Sequence, residues 1–390
     1  MKIKLAQRMN FFSSSIFSEL AAYKKEKASL GQTIIDLSIG SPDLPPPDFV
    51  KEAISTQAMD SKLYGYSLSG TADFHQAVGA YYQDQYGVGL HTDTEILQLM
   101  GSQDGLVHLP MVLADPGDYV LVPDPGYTAY ATGIAMAGAT PYYMPLLKEN
   151  GFMPDFSKIP EKVAEKASLM ILNFPGNPIP TMATEAMFEA AIQFAKKHHI
   201  IILHDFAYSE LYYGDDKPIS FLSMAGSRDV GIEMNSLSKS YNMAGCRIAY
   251  AAGHKEIIKA LGSLKSNLDY GVFHPIQTAA IRALQQGAAF NQETRLLYRN
   301  RRDCLIQGLN DIGWPVEAPQ AGMFIWAELP NRQDSTAFAW KLMDTAGVAV
   351  TPGIAFGPSG EGYVRIALVQ DKTVLQQAVD AIGSSGIILI

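Results

Sequence analysis

Cysteine is scarce: only Cys246 and Cys304 occur in 390 residues. They show neither a CxxC nor a Cys/His spacing, which excludes a disulfide framework and a zinc site as the organising principle. Two thiols in so long a chain fit a reducing compartment, so the expected location is the cytoplasm. Clusters of basic residues are missing as well. The densest stretch, Lys24-Lys25-Glu26-Lys27, is broken by Glu26 and reads as a solvated helix face. With a net charge of −9 no basic surface is expected, so nucleic acid is not an expected partner. There is no long apolar run either. The longest uncharged stretch ends in residues 128–147, which contain Pro141, Pro145 and Gly138 and read as a helix, a turn and a strand rather than a membrane span. The start, MKIKLAQRMNFFSSS, is basic but lacks a continuous apolar core, so no signal peptide is expected.

What is present points to a large globular chain. A hydrophobic fraction of 47% supports a sizeable core, and the length predicts two domains. Ser41-Pro42-Asp43-Leu44-Pro45-Pro46-Pro47 is a stiff extended connector, since consecutive prolines fit neither a helix interior nor a central strand. Short apolar runs follow at residues 119–122, 169–173, 200–204, 232–235 and 248–252. Helical spacing fills several of the intervals. The clearest helix starts after Thr184 as N-cap, carries Met187, Phe188, Ala191, Ile192 and Ala195 on one stripe, and ends with Lys196 and Lys197 in its last turn. Alternating strands and helices predict an α/β domain of three layers, a mostly parallel sheet covered on both faces. Toward the end of the chain, residues 322–329 and 362–369 read as strands of a smaller α+β domain. Val364, Ile366 and Leu368 alternate there with Arg365 and Ala367, which predicts one apolar face. The expected division is an arm at 1–40 that joins the small domain, a large domain at 41–280 and a small domain at 281–390.

In α/β sheets ligands bind beyond the carboxyl ends of the strands. The run 169–173 leads into Phe174-Pro175-Gly176-Asn177-Pro178, and 200–204 leads into Asp205-Phe206-Ala207-Tyr208. The run 232–235 leads into Ser236-Leu237-Ser238-Lys239-Ser240-Tyr241-Asn242-Met243-Ala244-Gly245-Cys246-Arg247. Ser236, Ser238 and Arg247 form a plausible cradle for a phosphate, because a guanidinium grips a dianion with two hydrogen bonds. Lys239 between them has three readings: an exposed loop lysine, a point charge on phosphate, or an amine that reacts with an aldehyde cofactor. The spacing GxxxxGK[ST] of a nucleotide-binding P-loop is absent.

This last segment resembles the lysine signature of class I and II aminotransferases, the aspartate aminotransferase-like enzymes of fold type I. The resemblance continues through the chain in order. Gly101-Ser102-Gln103-Asp104-Gly105 resembles the family's phosphate loop, and Pro123-Asp124-Pro125-Gly126-Tyr127 the segment whose ring stacks on the cofactor. Asn173-Phe174-Pro175-Gly176-Asn177-Pro178 resembles its NxPxNP turn, Asp205-Phe206-Ala207-Tyr208 its D-x-x-Y motif, and Tyr363-Val364-Arg365-Ile366-Ala367 its late arginine motif. The resemblance implies pyridoxal 5′-phosphate (PLP) as cofactor, carried by Lys239 as a Schiff base. It implies that Ser102, Gln103, Ser236, Ser238 and Arg247 bind the cofactor, its phosphate above all, and that Tyr127 covers the ring. Asp205 would pair with the ring nitrogen, and Asn177 and Tyr208 with the phenolic oxygen. Lys239, Asp205 and Tyr208 are the expected catalytic set, while Arg365, with Gly40 and Asn177, would bind the substrate, its α-carboxylate falling to Arg365. Taken singly, each has a plainer reading: a cap for Ser102 or Asp205, a turn for Asn177, core packing for Tyr127 and Tyr208, a solvated or salt-bridged strand position for Arg365.

Two departures stand out. Cys246 occupies a position where the family often has a bulky aromatic residue. In Tyr64-Gly65-Tyr66-Ser67-Leu68-Ser69-Gly70 the spacing is one residue off the loop whose tyrosine reaches a neighbouring subunit's phosphate. Tyr64 is preferred over Tyr66 for that role, and a homodimer with shared sites is implied. The implied reaction is transamination between an L-amino acid and a 2-oxo acid, with 2-oxoglutarate as the habitual acceptor. A β-eliminating C–S lyase on the same scaffold is the nearest alternative, and a PLP-binding regulator a more distant one. The substrate side chain is not readable. Diaminopimelate, aspartate and aromatic types all remain open, and selection is expected to involve residues 11–17, 266–273 and a partner subunit.

Overall fold

The computed structural model describes residues 3–12 and 16–389. Residues 13–15, within the 11–17 stretch expected to touch the substrate, therefore lie outside the described residues. A helix at Ile16–Ser29 precedes a short strand, β1 (Ile35–Asp36). The main sheet then takes seven strands: β2 (Ile96–Leu99), β3 (Tyr119–Asp124), β4 (Thr140–Pro145), β5 (Ala167–Leu172), β6 (Ile201–Asp205), β7 (Gly231–Ser236) and β8 (Ala249–Gly253). Their spatial order is β2-β8-β7-β6-β5-β3-β4. Only β8 runs against its neighbours, so the other six strands end at one edge.

Alternate side chains of the central strands feed two separate cores. Met170, Leu172 and Ile202 pack on one face with the Glu185–His198 helix, while Leu169, Ile171 and Leu203 pack on the other with the Ser102–Leu113 and Ala129–Ala137 helices. The fold is thus the expected three-layer α/β domain. Each fully buried Leu or Ile contributes about 1.5–3 kcal/mol, which explains why residues 169–172 of β5 and 201–203 of β6 are continuously apolar. The Glu185–His198 helix begins as anticipated, with the Thr184 hydroxyl accepting from Met187 N at 3.2 Å. Residues 128–147 likewise fold as a helix, a left-handed turn at Gly138 and β4.

The later strands form a smaller α+β unit. β9 (Phe324–Glu328), β10 (Val348–Ala349), β11 (Thr351–Pro352) and β12 (Tyr363–Ala367) are joined by helices Ala288–Asp311, Ser335–Ala346 and Lys372–Ser385. β11, β12 and β9 make an antiparallel sheet, and β10 pairs in parallel with β1. β12 has the expected apolar face at Val364 and Ile366, and its other face is buried too: Arg365 is only 3% exposed and Ala367 is fully buried, which sets aside the plainer reading of Arg365 as a solvated position. The connector at residues 41–47 has no regular structure, and Arg301 ties it down with two bonds to the Asp43 carboxylate, at 2.8 and 2.7 Å. Among the described residues, no helix is long and apolar enough to cross a membrane.

Candidate active site

From β3 the chain steps outward to β4, then returns to the other side of β3 and continues through β5, β6 and β7. The order reverses between β3 and β5, and a crevice at such a reversal is where open α/β sheets bind ligands. A cavity of about 140 Å³ opens there, beyond the strand ends. Eleven of the anticipated residues line it: Gly40, Ser102, Gln103, Tyr127, Asn177, Asp205, Tyr208, Ser236, Ser238, Lys239 and Arg247. Arg365 borders an adjoining cavity that shares Gly40, Tyr127 and Asn177 with the first. Tyr64 lies apart from both. Its ring leans on Phe273 at 5.1 Å, and its hydroxyl donates to the Ala58 carbonyl at 2.8 Å.

Lys239 sits on the turn after β7. Ser236 caps that turn, its Oγ accepting from Ser238 N at 3.1 Å. Lys239 Nζ donates to the Gly40 carbonyl at 2.5 Å. Burial, then the nearby Arg365 and Arg247 guanidinium groups, bring its amine down to about 8. Asp205 closes β6 at 4% exposure. Burial raises its carboxyl, although Tyr130 OH donates to it at 2.8 Å and Ala207 N at 3.4 Å. Tyr208 is buried against Phe324, with ring centroids 5.8 Å apart, and its phenol is pushed upward by the same desolvation.

Arg365 reaches the crevice from β12. Its guanidinium donates to Asn177 Oδ1 at 2.8 Å, the Ser38 carbonyl at 2.7 Å and Thr351 Oγ1 at 3.3 Å. It lies over the Phe324 and Phe356 rings at 4.3 and 4.8 Å. None of these partners is a carboxylate. Burial therefore lowers the guanidinium to about 10, leaving a cation whose charge the protein does not neutralise.

At the other end, Gly101 precedes the Ser102–Leu113 helix with φ +80, and no side chain caps the first turn. A Cβ on Gly101 would stand 2.2 Å from an Arg247 nitrogen, so the arginine packs directly on that backbone. Arg247 itself takes a left-handed backbone at φ +51, which is strained for a non-glycine residue and directs its side chain to the helix start. Asp104 fixes the turn from below, accepting from Met100 N and from Lys265 Nζ, both at 2.9 Å.

Sequence reasoning passed over several supports. Tyr130, in the first turn of the Ala129–Ala137 helix, holds Asp205 and meets the ring of Tyr127, which precedes that helix, edge to face at 5.8 Å. Asn173, the first residue of the NxPxNP motif, donates to the Asp205 carbonyl at 2.8 Å and accepts from Asn177 N at 2.9 Å. Ser38 and Thr351 give no local signal, because they meet Arg365 only through β1–β10 and β11–β12 pairing.

These features suit PLP. The uncapped helix start and Arg247 match a phosphate dianion, the lowered amine matches an aldehyde, and a buried carboxylate with a raised pKa matches a protonated ring nitrogen. Comparison with known proteins agrees. Residues 32–382 match the family model "Aminotransferase class I and II". An LL-diaminopimelate aminotransferase of Oleidesulfovibrio alaskensis is 42% identical over 97% of this chain and 98% of its own. The substrate-bound BacF structure from Bacillus subtilis superposes with a TM-score of 0.95 at 37% identity, covering 98% of each chain. A probable N-succinyldiaminopimelate aminotransferase from Thermus thermophilus gives 0.90 at 33% identity, over 95% of this chain and 100% of that one. A likeness carried along nearly the whole length makes this chain a member of the class I and II aminotransferases, the PLP-dependent transferases of fold type I.

Proposed function

We propose that Lys239 carries PLP in this crevice and that the enzyme moves the amino group of an L-amino acid to a 2-oxo acid, with 2-oxoglutarate as acceptor. One observation carries the reading: a partly buried lysine amine, lowered to about 8, stands among Asp205, Tyr208, Arg247 and Arg365 at converging strand ends. Ser102, Gln103, Ser236, Ser238 and Arg247 hold the phosphate end. Tyr127 covers the ring, Asp205 keeps its nitrogen protonated, and Asn177 and Tyr208 donate to its phenolic oxygen. Bound PLP supplies an electron-withdrawing ring that stabilises the charge left at Cα when its proton departs.

The chain's own groups do the rest. Arg365 holds the α-carboxylate and so orients the Cα–H bond, with Gly40 letting backbone come close to the substrate. Lys239 Nζ takes the Cα proton; its depressed pKa leaves a useful share of neutral amine near pH 8, where an exposed lysine would be almost wholly charged. The names of the curated relatives make LL-diaminopimelate one donor for trial. A homodimer, with Tyr64 reaching the partner's phosphate site, fits the exposure of Tyr64. Domain limits of 1–40, 41–280 and 281–390 are supported by the pairing of β1 with β10, which ties the arm to the small unit.

The test is a panel of amino acids with 2-oxoglutarate, read by oxo-acid formation, beside an absorbance spectrum of the purified enzyme. The expected result is acceptor-dependent turnover and a cofactor band that Lys239→Ala abolishes. A spectrum indifferent to that substitution would overturn the reading. So would oxo acid and ammonia released with no acceptor present, which is elimination.

A further inference from the structure

We infer that the donor this site selects has a large apolar or aromatic side chain, rather than one ending in a carboxylate or a second amino-acid group. The inference rests on the aminotransferase reading above and names the substrate class for that same site. The adjoining cavity measures about 380 Å³ and has Arg365 on its wall. An amino acid with its carboxylate on Arg365 and its Cα beside Lys239 must send its side chain into this space. Its apolar walls are Phe17, Leu20, Ile39 and Phe356, and its neutral polar side chains are Ser38, Tyr127, Thr128 and Asn177, of which Ser38 is bonded to Asp36 and Asn177 to Arg365. Phe17 meets Phe356 edge to face at 5.6 Å, which gives the chamber an aromatic corner. Ile39 is 49% exposed at its mouth and has apolar surface left for a substrate to cover. A further hollow that shares Phe17 is lined by Phe11, Phe12, Ile16 and Ile354, and among the described residues lining it none is charged.

Charge decides against an acidic terminus. Among the described residues lining the chamber, the only charged ones are Arg365 and Lys24. Arg365 is taken by the α-carboxylate. Lys24 is already matched, with its Nζ on Asp36 Oδ2 at 2.6 Å and Ser38 Oγ at 3.1 Å. Asp36 is held in place by Ser38, whose N and Oγ both donate to its Oδ1, at 3.0 and 2.6 Å. A distal carboxylate would lose water against Phe17 and Phe356 without gaining a free cation. An apolar side chain gives up nothing and covers the aromatic corner.

The experiment measures kcat/KM of the PLP-loaded enzyme for L-phenylalanine, L-leucine, L-aspartate and LL-diaminopimelate, each with 2-oxoglutarate. Phenylalanine and leucine are expected to exceed the other two by roughly a hundredfold. A higher value for aspartate or LL-diaminopimelate overturns the inference, because the distal charge is then met by groups outside this chamber. Phe17→Ala supplies a second reading: the phenylalanine-to-alanine ratio of kcat/KM should fall about tenfold while the cofactor band persists. An unchanged ratio also overturns it. Should no donor of any class react, or should the band not depend on Lys239, the aminotransferase reading itself fails and takes this assignment with it. Turnover restricted to charged donors removes the assignment alone.

Discussion

Burial, then two neighbouring guanidinium groups, lower Lys239 to about 8, against 10.5 for an exposed lysine. The amine that captures an aldehyde is the neutral one, so PLP uptake by the cofactor-free enzyme should accelerate with pH and level off above about 8. Stopped-flow absorbance across pH 6.5–9.5 measures this, and a rise that continues toward 10.5 would show an unperturbed lysine. The sign for stability is the same: between the two values the unfolded chain binds more protons, so stability of that form rises with pH across the window. Asp205 behaves oppositely. Burial raises its carboxyl, hence Asp205→Asn removes a desolvation cost and keeps an acceptor for Tyr130. We expect kcat to fall by about 10²–10³ with no loss of melting temperature, as when one electrostatic stabiliser is removed from an active site. Lys239, Asp205, Tyr208 and Asn177 were legible because each follows an apolar run that had to be a strand. Arg365 was legible by motif but not by pattern. Alternation predicts a wet face, and only the tertiary fold turns that face into the crevice.

Gly101 shows how an element's end carries function. Alanine there would meet Arg247 and adopt φ +80, so Gly101→Ala should cost about 1–3 kcal/mol and weaken PLP binding roughly tenfold. Thermal melts and a fluorescence titration read the two effects separately. Most elements could be anticipated where burial is two-sided or a cap is explicit, as for β5, β6 and the helix after Thr184. β2 could not. Gln98 interrupts its four residues, and its side chain is fully buried, with Val272 N donating to its Oε1 at 3.3 Å from a distant loop. The short pairs β1–β10 and β11–β12 have the same character: a strand of two residues has no period to detect.

At the scale of the molecule, a cluster of rings remains in water. Tyr66 is 82% exposed, Tyr64 64% and Tyr270 57%, and they pair through Tyr66–Tyr270 and Tyr64–Phe273. Contiguous aromatic surface of this kind is the usual mark of an interface. Sedimentation at micromolar concentration should give a dimer, Tyr66→Glu should shift it toward monomer, and activity of that variant should fall on dilution. A monomeric, fully active enzyme would remove the shared-site expectation. Six of seven strands finishing at one edge has a consequence of another kind. The proposed site lies at that rim, while the opposite rim is connective. The turn at Asp115-Pro116-Gly117, which enters β3 from that side, is exposed, and a Cβ on Gly117 would touch nothing within 4 Å. The sheet therefore divides the surface into a working side and an idle one, and it is on the idle side that a label, a tether or an inserted peptide can be accommodated.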